Sequence, residues 1–218
     1  MYTQAVVVTT ADWTSMQGNA QLFERQNVNS PWKLAHEAFP VVVGRSGLAW
    51  GIGLHPFQNL SPLKREGDGK SPAGIFSIGT AFGFAPKSKM THLQMDYLPL
   101  SPTIEAVDDP TSSYYNRITD THTIMPAWKS SEKMASVPLY NIGFLIHHNF
   151  PDPQPFAGSA IFFHLWRSFH SGTAGCTATS YDHLSTILAW LDKSKNPVLV
   201  QLPLPAYQEL QKPWNLPA

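Results

Sequence analysis

Nineteen prolines and fourteen glycines punctuate this 218-residue chain and leave only short apolar runs between them. Proline removes a backbone donor and glycine weakens the interior of any element, so this spacing selects short strands and turns over long helices. "QAVVVTT" (4–10), "AQLFERQ" (20–26), "WKLAHE" (32–37) and "FPVVVG" (39–44) read as successive strands, with Asn, Gly, Ser or Pro between most of them. "RSGLAWGIGLHP" (45–56) is glycine-rich and expected to run extended around bends, and 61–79 reads as a polar turn followed by a strand. Strand patterns return at "NIGFLIHHN" (141–149) and "SAIFFHLW" (159–166). One helix is expected: Ser180 is its N-cap, Leu184, Ile187, Leu188 and Leu191 share a face, and Asn196–Pro197 ends it before a final strand, "VLVQLP" (198–203). The expected fold class is therefore mainly β (α+β), with mixed β-sheets packed in a sandwich-like single domain over 1–218 and one helix in its C-terminal region. Residues 86–138 form a long irregular stretch containing "VDDPTSSYYNRI" (107–118), and loops of that length are uncommon unless functional. That stretch is expected to be an insertion bordering a site.

Charge narrows the function classes. The formal net charge is zero and no Lys/Arg stripe appears, which argues against nucleic acid and against anionic membrane surfaces as partners. With 43% hydrophobic and only 14% charged residues, the chain can bury a sizeable core. It has no apolar run long enough to span a bilayer. "MYTQAVVVTTADW" lacks a basic leading region and reads as a strand, not an export signal. A single cysteine cannot form an internal disulfide and leaves the redox compartment open.

That cysteine, Cys176, lies in "HSGTAGCTATS" (170–180), among glycines and hydroxyl residues. In "SAIFFHLW" the strand period puts Ala160, Phe162 and His164 on one face and Ile161, Phe163 and Leu165 on the other. His164 is near the strand's end, and the loop after it is long enough to bring Cys176 back to it. A neighbouring imidazole is expected to raise the thiolate fraction of Cys176. Gly172 and Gly175 are expected to adopt positive φ, and backbone N–H groups near Gly175 and Cys176 to serve as an oxyanion hole. On pattern alone, a small buried hydrophobe remains the commoner use of a lone cysteine.

Other motifs carry less. His147 and His148 point to opposite faces of a strand and are poorly placed to share a metal ion, and no paired-cysteine or H-E-x-x-H motif exists, so no metal or cofactor is expected. "GDGKSPAG" (67–74) lacks phosphate-loop spacing and reads as a polar turn. "DDP" (108–110) reads as an Asx-turn. His36, His55, His92, His122 and His183 read as surface or locally hydrogen-bonded groups.

"GKSPAGIFSIG" and "FFHLW…TAGCTATS" together resemble the L,D-transpeptidase catalytic domains of the YkuD type. The likeness runs over most of the chain and looks closest to the ErfK/YbiS-like branch, which pairs a "GK-[ST]-P-A-G-x-F" strand with a "DDP…YYN" segment. The family's strand histidine matches His164, and its hydroxyl, glycine and cysteine match Thr173, Gly175 and Cys176. Ala174 stands where the family has a second histidine, and Ala178 where it has arginine. His170 is the nearby residue expected to supply a replacement charge. The resemblance implies packed β-sheets with a helix and cysteine acyl transfer on peptidoglycan stem peptides, with Cys176 as nucleophile and His164 as base. The acceptor is an amine (crosslinking or D-amino-acid exchange) or water (carboxypeptidase activity). Such a substrate places the protein in the cell envelope or periplasm. Tyr115 and Asn116 match the branch's "YN"; Tyr115 reads equally as a cleft residue or a core aromatic, and Asn149 as a cleft residue or a turn former. A cysteine hydrolase acting on other peptides and a non-catalytic peptidoglycan-binding module are the alternatives.

Overall fold

The computed structural model describes residues 2–58 and 61–218. Its strands in chain order are β1 (Gln4–Thr10), β2 (Gln17–Glu24), β3 (Lys33–Val42), β4 (Leu48–Trp50), β5 (Ser71–Gly83), β6 (Tyr97–Pro99), β7 (Ile104–Val107), β8 (Ile118–Asp120), β9 (Ser131–Lys133), β10 (Ile142–Ile146), β11 (Phe162–Leu165), β12 (Thr177–Thr179) and β13 (Val198–Pro203). The two helices are α1 (Tyr181–Trp190) and α2 (Leu204–Leu210). The fold is mainly β, with sheets packed in one domain, as the residue pattern implies.

The large sheet runs β10-β11-β12-β3-β2-β1-β13-β5-β4, and β10 also pairs with β5, so the sheet curls and closes on itself. It is mixed: β1 runs parallel to β13 and β11 parallel to β12, whereas β1–β2, β2–β3, β5–β13 and β10–β11 are antiparallel. Val6, Val8, Leu22, Phe76, Phe144, Phe163 and Leu199 fill its interior, and α1 adds Leu184, Ile187 and Leu188 to the same core. A closed sheet leaves few unpaired edges, which explains how chains of three to six residues can be stable strands here.

Several expectations change in detail. "WKLAHE" and "FPVVVG" form one long strand, β3, not two; irregular pairing with β2 near Ala20–Leu22 lets it bend without breaking. The expected single helix becomes two, because Pro205 in the first turn of α2 supplies a preset φ where the missing N–H costs nothing. α1 has Ser180 as its N-cap, accepting from His183 N–H, but ends at Trp190, well before Pro197. Residues 86–138 are not irregular throughout: β7 pairs antiparallel with both β8 and β9 in a three-stranded sheet of its own. Between this small sheet and the large one lies a second apolar cluster of Phe82, Ile104, Ala106, Met134, Phe162 and Cys176, joined by Tyr140.

Candidate active site

The alternation expected along 160–165 is present. Phe163 faces the main core, whereas Phe162 faces the second cluster with Cys176. His164 sits on β11 opposite Gly143 of β10 and Ala178 of β12. From Leu165 the chain loops out through Gly172, and Cys176 is the residue immediately before β12. Parallel pairing of β11 with β12 (Phe163 beside Thr177, His164 beside Ala178) therefore sets Cys176 beside Phe162, two positions along β11 from His164. Cys176 and His164 both open on a cleft of about 750 Å³ that is also lined by Thr173, Gly175, Tyr140 and Glu132.

The cysteine loop is held by hydroxyl groups. Cys176 C=O accepts from Ser71 Oγ at 2.8 Å and from Thr173 Oγ1 at 2.5 Å. Gly44 N–H in turn donates to Ser71 Oγ at 2.8 Å, and Gly175 N–H donates to Thr173 Oγ1 at 3.1 Å. Below the loop, Thr177 Oγ1 donates to Gln201 Oε1, and Gln201 Nε2 donates to Pro72 C=O, both buried. The "GKSP" stretch thus acts as the clamp on the cysteine backbone. Its serine was not singled out in the sequence, because a hydroxyl in a polar turn carries no mark of a partner 105 residues away.

Neither Gly172 nor Gly175 has the expected positive φ. Gly172 is needed for a different reason: a Cβ there would lie 2.6 Å from Arg45 Cα. Because Gly175 N–H is taken by Thr173, Cys176 N–H is the donor of the expected pair that no side chain engages.

Cys176 Sγ lies 3.4 Å from Phe162 N–H, which donates to it, and 3.5 Å from Ala160 C=O. His164 is not among the sulfur's hydrogen-bond partners. The imidazole is fixed through Nδ1, 2.7 Å from Leu165 C=O. A carbonyl only accepts, so Nδ1 carries the proton and Nε2 keeps its lone pair. Burial pushes the Cys176 thiol up to about 12, partly opposed by Phe162 N–H and further raised by Glu132. Burial likewise pushes His164 down to about 4. Burial thus favours an uncharged thiol and an uncharged imidazole, opposing the thiolate that imidazole proximity favours. The reason is desolvation, which disfavours both charged forms.

Of the other expected site residues, Tyr115, Asn116 and Asn149 support the cleft from behind. Tyr115, Asn116, Asn149 and His170 are absent from its lining. Tyr115 is a buried aromatic whose Oη donates to Glu66 Oε2 at 2.5 Å and accepts from Gly158 N–H at 3.1 Å. Asn116, at φ 58°, donates to His148 C=O and Asn149 C=O and accepts from Ala160 N–H. Asn149, at φ 54°, ties Gln154 and Gly158 into a turn. Together the two asparagines set the path of the chain into β11 and hence the Ala160–Phe162 backbone around the sulfur. His170 is exposed, against Phe169 and 3.5 Å from Gln17 Nε2, and does not supply the cleft's charge. The cleft's cationic groups are Arg45, Lys64 and Arg167, which carried no recognisable motif.

Among the described residues no group of three or more His, Cys, Asp or Glu could hold a metal ion. His147 contacts Ser77 Oγ, whereas His148 is buried between Ile52 N–H and Ala157 C=O. Asp109 forms the expected turn, accepting from Thr111 N–H and Oγ1, and also from Lys129 N–H.

A cysteine just before one strand and a histidine on its neighbour, opening on one polar cleft of a mainly β domain, are the groups that cysteine acyl transfer requires. The chain belongs to the YkuD family: the family model of the L,D-transpeptidase catalytic domain matches residues 22–200. No curated protein and no solved structure matches the chain. The family's cysteine-dependent acyl transfer acts on peptidoglycan, which is a cell-envelope substrate. No described helix is long and apolar enough to cross a membrane.

Proposed function

We propose that this domain processes the L,D bond of peptidoglycan tetrapeptide stems through a thioester on Cys176, with His164 as the base, in the manner of the ErfK/YbiS-like branch. The observation that carries this reading is the convergence of Cys176 and His164 on one cleft, with the Cys176 carbonyl clamped by Ser71 and Thr173. The domain is taken to be single over 1–218, with 86–138 as the insertion that walls the cleft.

In the proposed sequence, His164 Nε2 takes the thiol proton as Sγ attacks the carbonyl carbon of the L-residue. The uncharged resting pair makes this transfer part of the attack instead of a step completed beforehand. Cys176 N–H faces the developing oxyanion. His164 then returns the proton to the departing nitrogen, D-alanine leaves, and the acyl group remains on sulfur. Water or an amine attacks the thioester, gives its proton to His164, and Sγ leaves and is reprotonated. The periplasmic side of the envelope is where such stems are found.

The test is mass spectrometry of wild type and Cys176→Ala incubated with a diaminopimelate tetrapeptide muropeptide. Cys176-dependent loss of D-alanine with an acyl adduct on the protein is expected. Tripeptide product identifies hydrolysis, and a crosslinked dimer identifies transfer. D-Alanine release that survives Cys176→Ala would sink the mechanism, and sacculus binding without any turnover would replace it with a binding module.

A further inference from the structure

Opposite the cysteine loop, the small sheet forms the cleft's other wall. Ala106 pairs with Glu132, and Val107 pairs with Ser131. Strand alternation therefore puts Ala106, Asp108 and Glu132 on one face and Glu105 on the other. The outer face is satisfied, since Glu105 Oε2 accepts from Trp128 Nε1 and Ser131 Oγ. On the inner face Ala106 packs in the cluster that contains Cys176, while Asp108 and Glu132 line the cleft. Glu132 Oε2 accepts from Tyr140 Oη at 2.6 Å. The Tyr140 ring stands edge-on to the His164 imidazole, 5.2 Å between centroids at 66°, and edge-on to Phe162. One carboxylate is thus linked, through one phenol, to the proposed base, in the cavity of the proposed nucleophile.

We propose that Glu132, tied to the His164 imidazole through Tyr140 and lining the same cleft as Cys176, is a positioning residue of this site. Its charge opposes a thiolate in the same low-dielectric cavity, and its bond to Tyr140 orients the ring that braces His164. The other charged groups do not cancel it. Lys64 acts in the opposite sense on Cys176, but its Nζ is held by Asp68 Oδ1 at 2.7 Å. Glu66 is bound by Tyr115 and Ser159. Arg45 and Arg167 are exposed, where water screens them. Burial, and then the nearby Asp108, raise the Glu132 carboxyl above its ordinary value; Asp108 itself has a buried Oδ1 with no hydrogen-bond partner among the described residues. The inserted sheet therefore contributes an electrostatic restraint on the nucleophile, beyond forming a wall. This inference rests on the reading of Cys176 and His164 given above.

The test follows alkylation of Cys176, the chain's sole thiol, by iodoacetamide across pH in the full-length protein, alongside D-alanine release. Glu132→Gln keeps an acceptor for Tyr140 but removes the charge. Its alkylation profile is expected to move toward lower pH, so that alkylation at mildly alkaline pH is about threefold to tenfold faster than in wild type. Glu132→Asp restores the charge on a shorter side chain that no longer reaches Tyr140; it should return the alkylation profile to that of wild type while kcat for D-alanine release stays low. Tyr140→Phe keeps the ring but loses the tie, and should lower kcat with little change in KM. A Glu132→Gln profile superimposable on wild type would overturn the proposal, as would equal shifts in the Gln and Asp variants. Alkylation needs no turnover, so absence of stem-peptide processing would count against the acyl-enzyme reading without touching this result.

Discussion

Ser71 Oγ donates to the carbonyl of Cys176 at 2.8 Å while accepting the Gly44 N–H, both within a fully buried setting. Ser71→Ala removes both bonds and leaves a buried carbonyl with only Thr173, and a buried N–H with none. The cost of such orphaned groups is about 1–3 kcal/mol. We expect a urea midpoint shifted by that amount at unchanged m-value, and a larger loss of D-alanine release than the stability change explains, because the clamp fixes the nucleophile's backbone. Unaltered turnover in a destabilised variant would show that the clamp serves the fold alone.

Acid sensitivity follows from histidines that burial holds below their ordinary value, His148 and His164 most and His55 and His147 in the same direction. Burial pushes both His148 and His164 down to about 4, against 6.5 for an ordinary histidine. The unfolded chain thus binds protons that the folded chain refuses between those values. Stability is full above about pH 6.5 and falls as pH drops toward 4, by on the order of 3 kcal/mol per histidine. Urea titrations across this window check it. His148→Gln, which can still accept from Ile52 and donate to Ala157, should flatten the slope by that one histidine's share. A slope unchanged by that substitution would assign the acid sensitivity elsewhere.

What was legible in the sequence divides along physical lines. Strands came through because alternation and turn residues are local signals: β1 and β13 match their apolar runs residue for residue. His164 and Cys176 were legible because one strand's period and one loop's length suffice to bring them together. The closure of β5 onto β10, the small sheet within 86–138 and the Ser71 clamp depend on pairings between distant segments, which leave no local periodicity. The resting charge state was misread because burial of a thiol and an imidazole together is a tertiary property. A neighbouring imidazole raises the thiolate fraction, and desolvation opposes it.

Gly74, three residues past the clamp serine on β5, has no room for a side chain. Its φ is +138°, and an added Cβ would lie 2.0 Å from the ring of His55. That ring cannot simply swing away, since it is buried, accepts from Ile75 N–H at 3.0 Å and contacts Gly51 C=O. Gly74→Ala therefore combines backbone strain with overpacking and should cost roughly 3 kcal/mol or more. Adding His55→Ala should recover the steric part but not the strain, so the double variant should be more stable than the sum of the singles predicts. Strict additivity in thermal or urea unfolding would refute the collision.

Ala178 stands where the family pattern has an arginine, and it is fully buried between His164 and Val42 in the ladder. The cleft nevertheless has guanidinium groups, contributed by other elements. Arg45 N–H donates to Thr173 C=O at 2.9 Å, which places that residue beside the cysteine loop, and Arg167 lies two residues past the strand that carries His164. Both are exposed and line the cleft, with no side-chain hydrogen bond among the described residues. On the acyl-enzyme reading proposed above, they would attract the terminal carboxylate of a donor peptide. Arg45→Gln and Arg167→Gln should each raise KM for a tetrapeptide ending in free D-alanine by about fivefold, the worth of an exposed ion pair near 1 kcal/mol. A donor whose terminal carboxylate is amidated should show no such change, and added salt should narrow the difference in wild type because exposed charges are screened. Equal KM increases for acid and amide donors would mean that the arginines shape the cleft without reading the carboxylate.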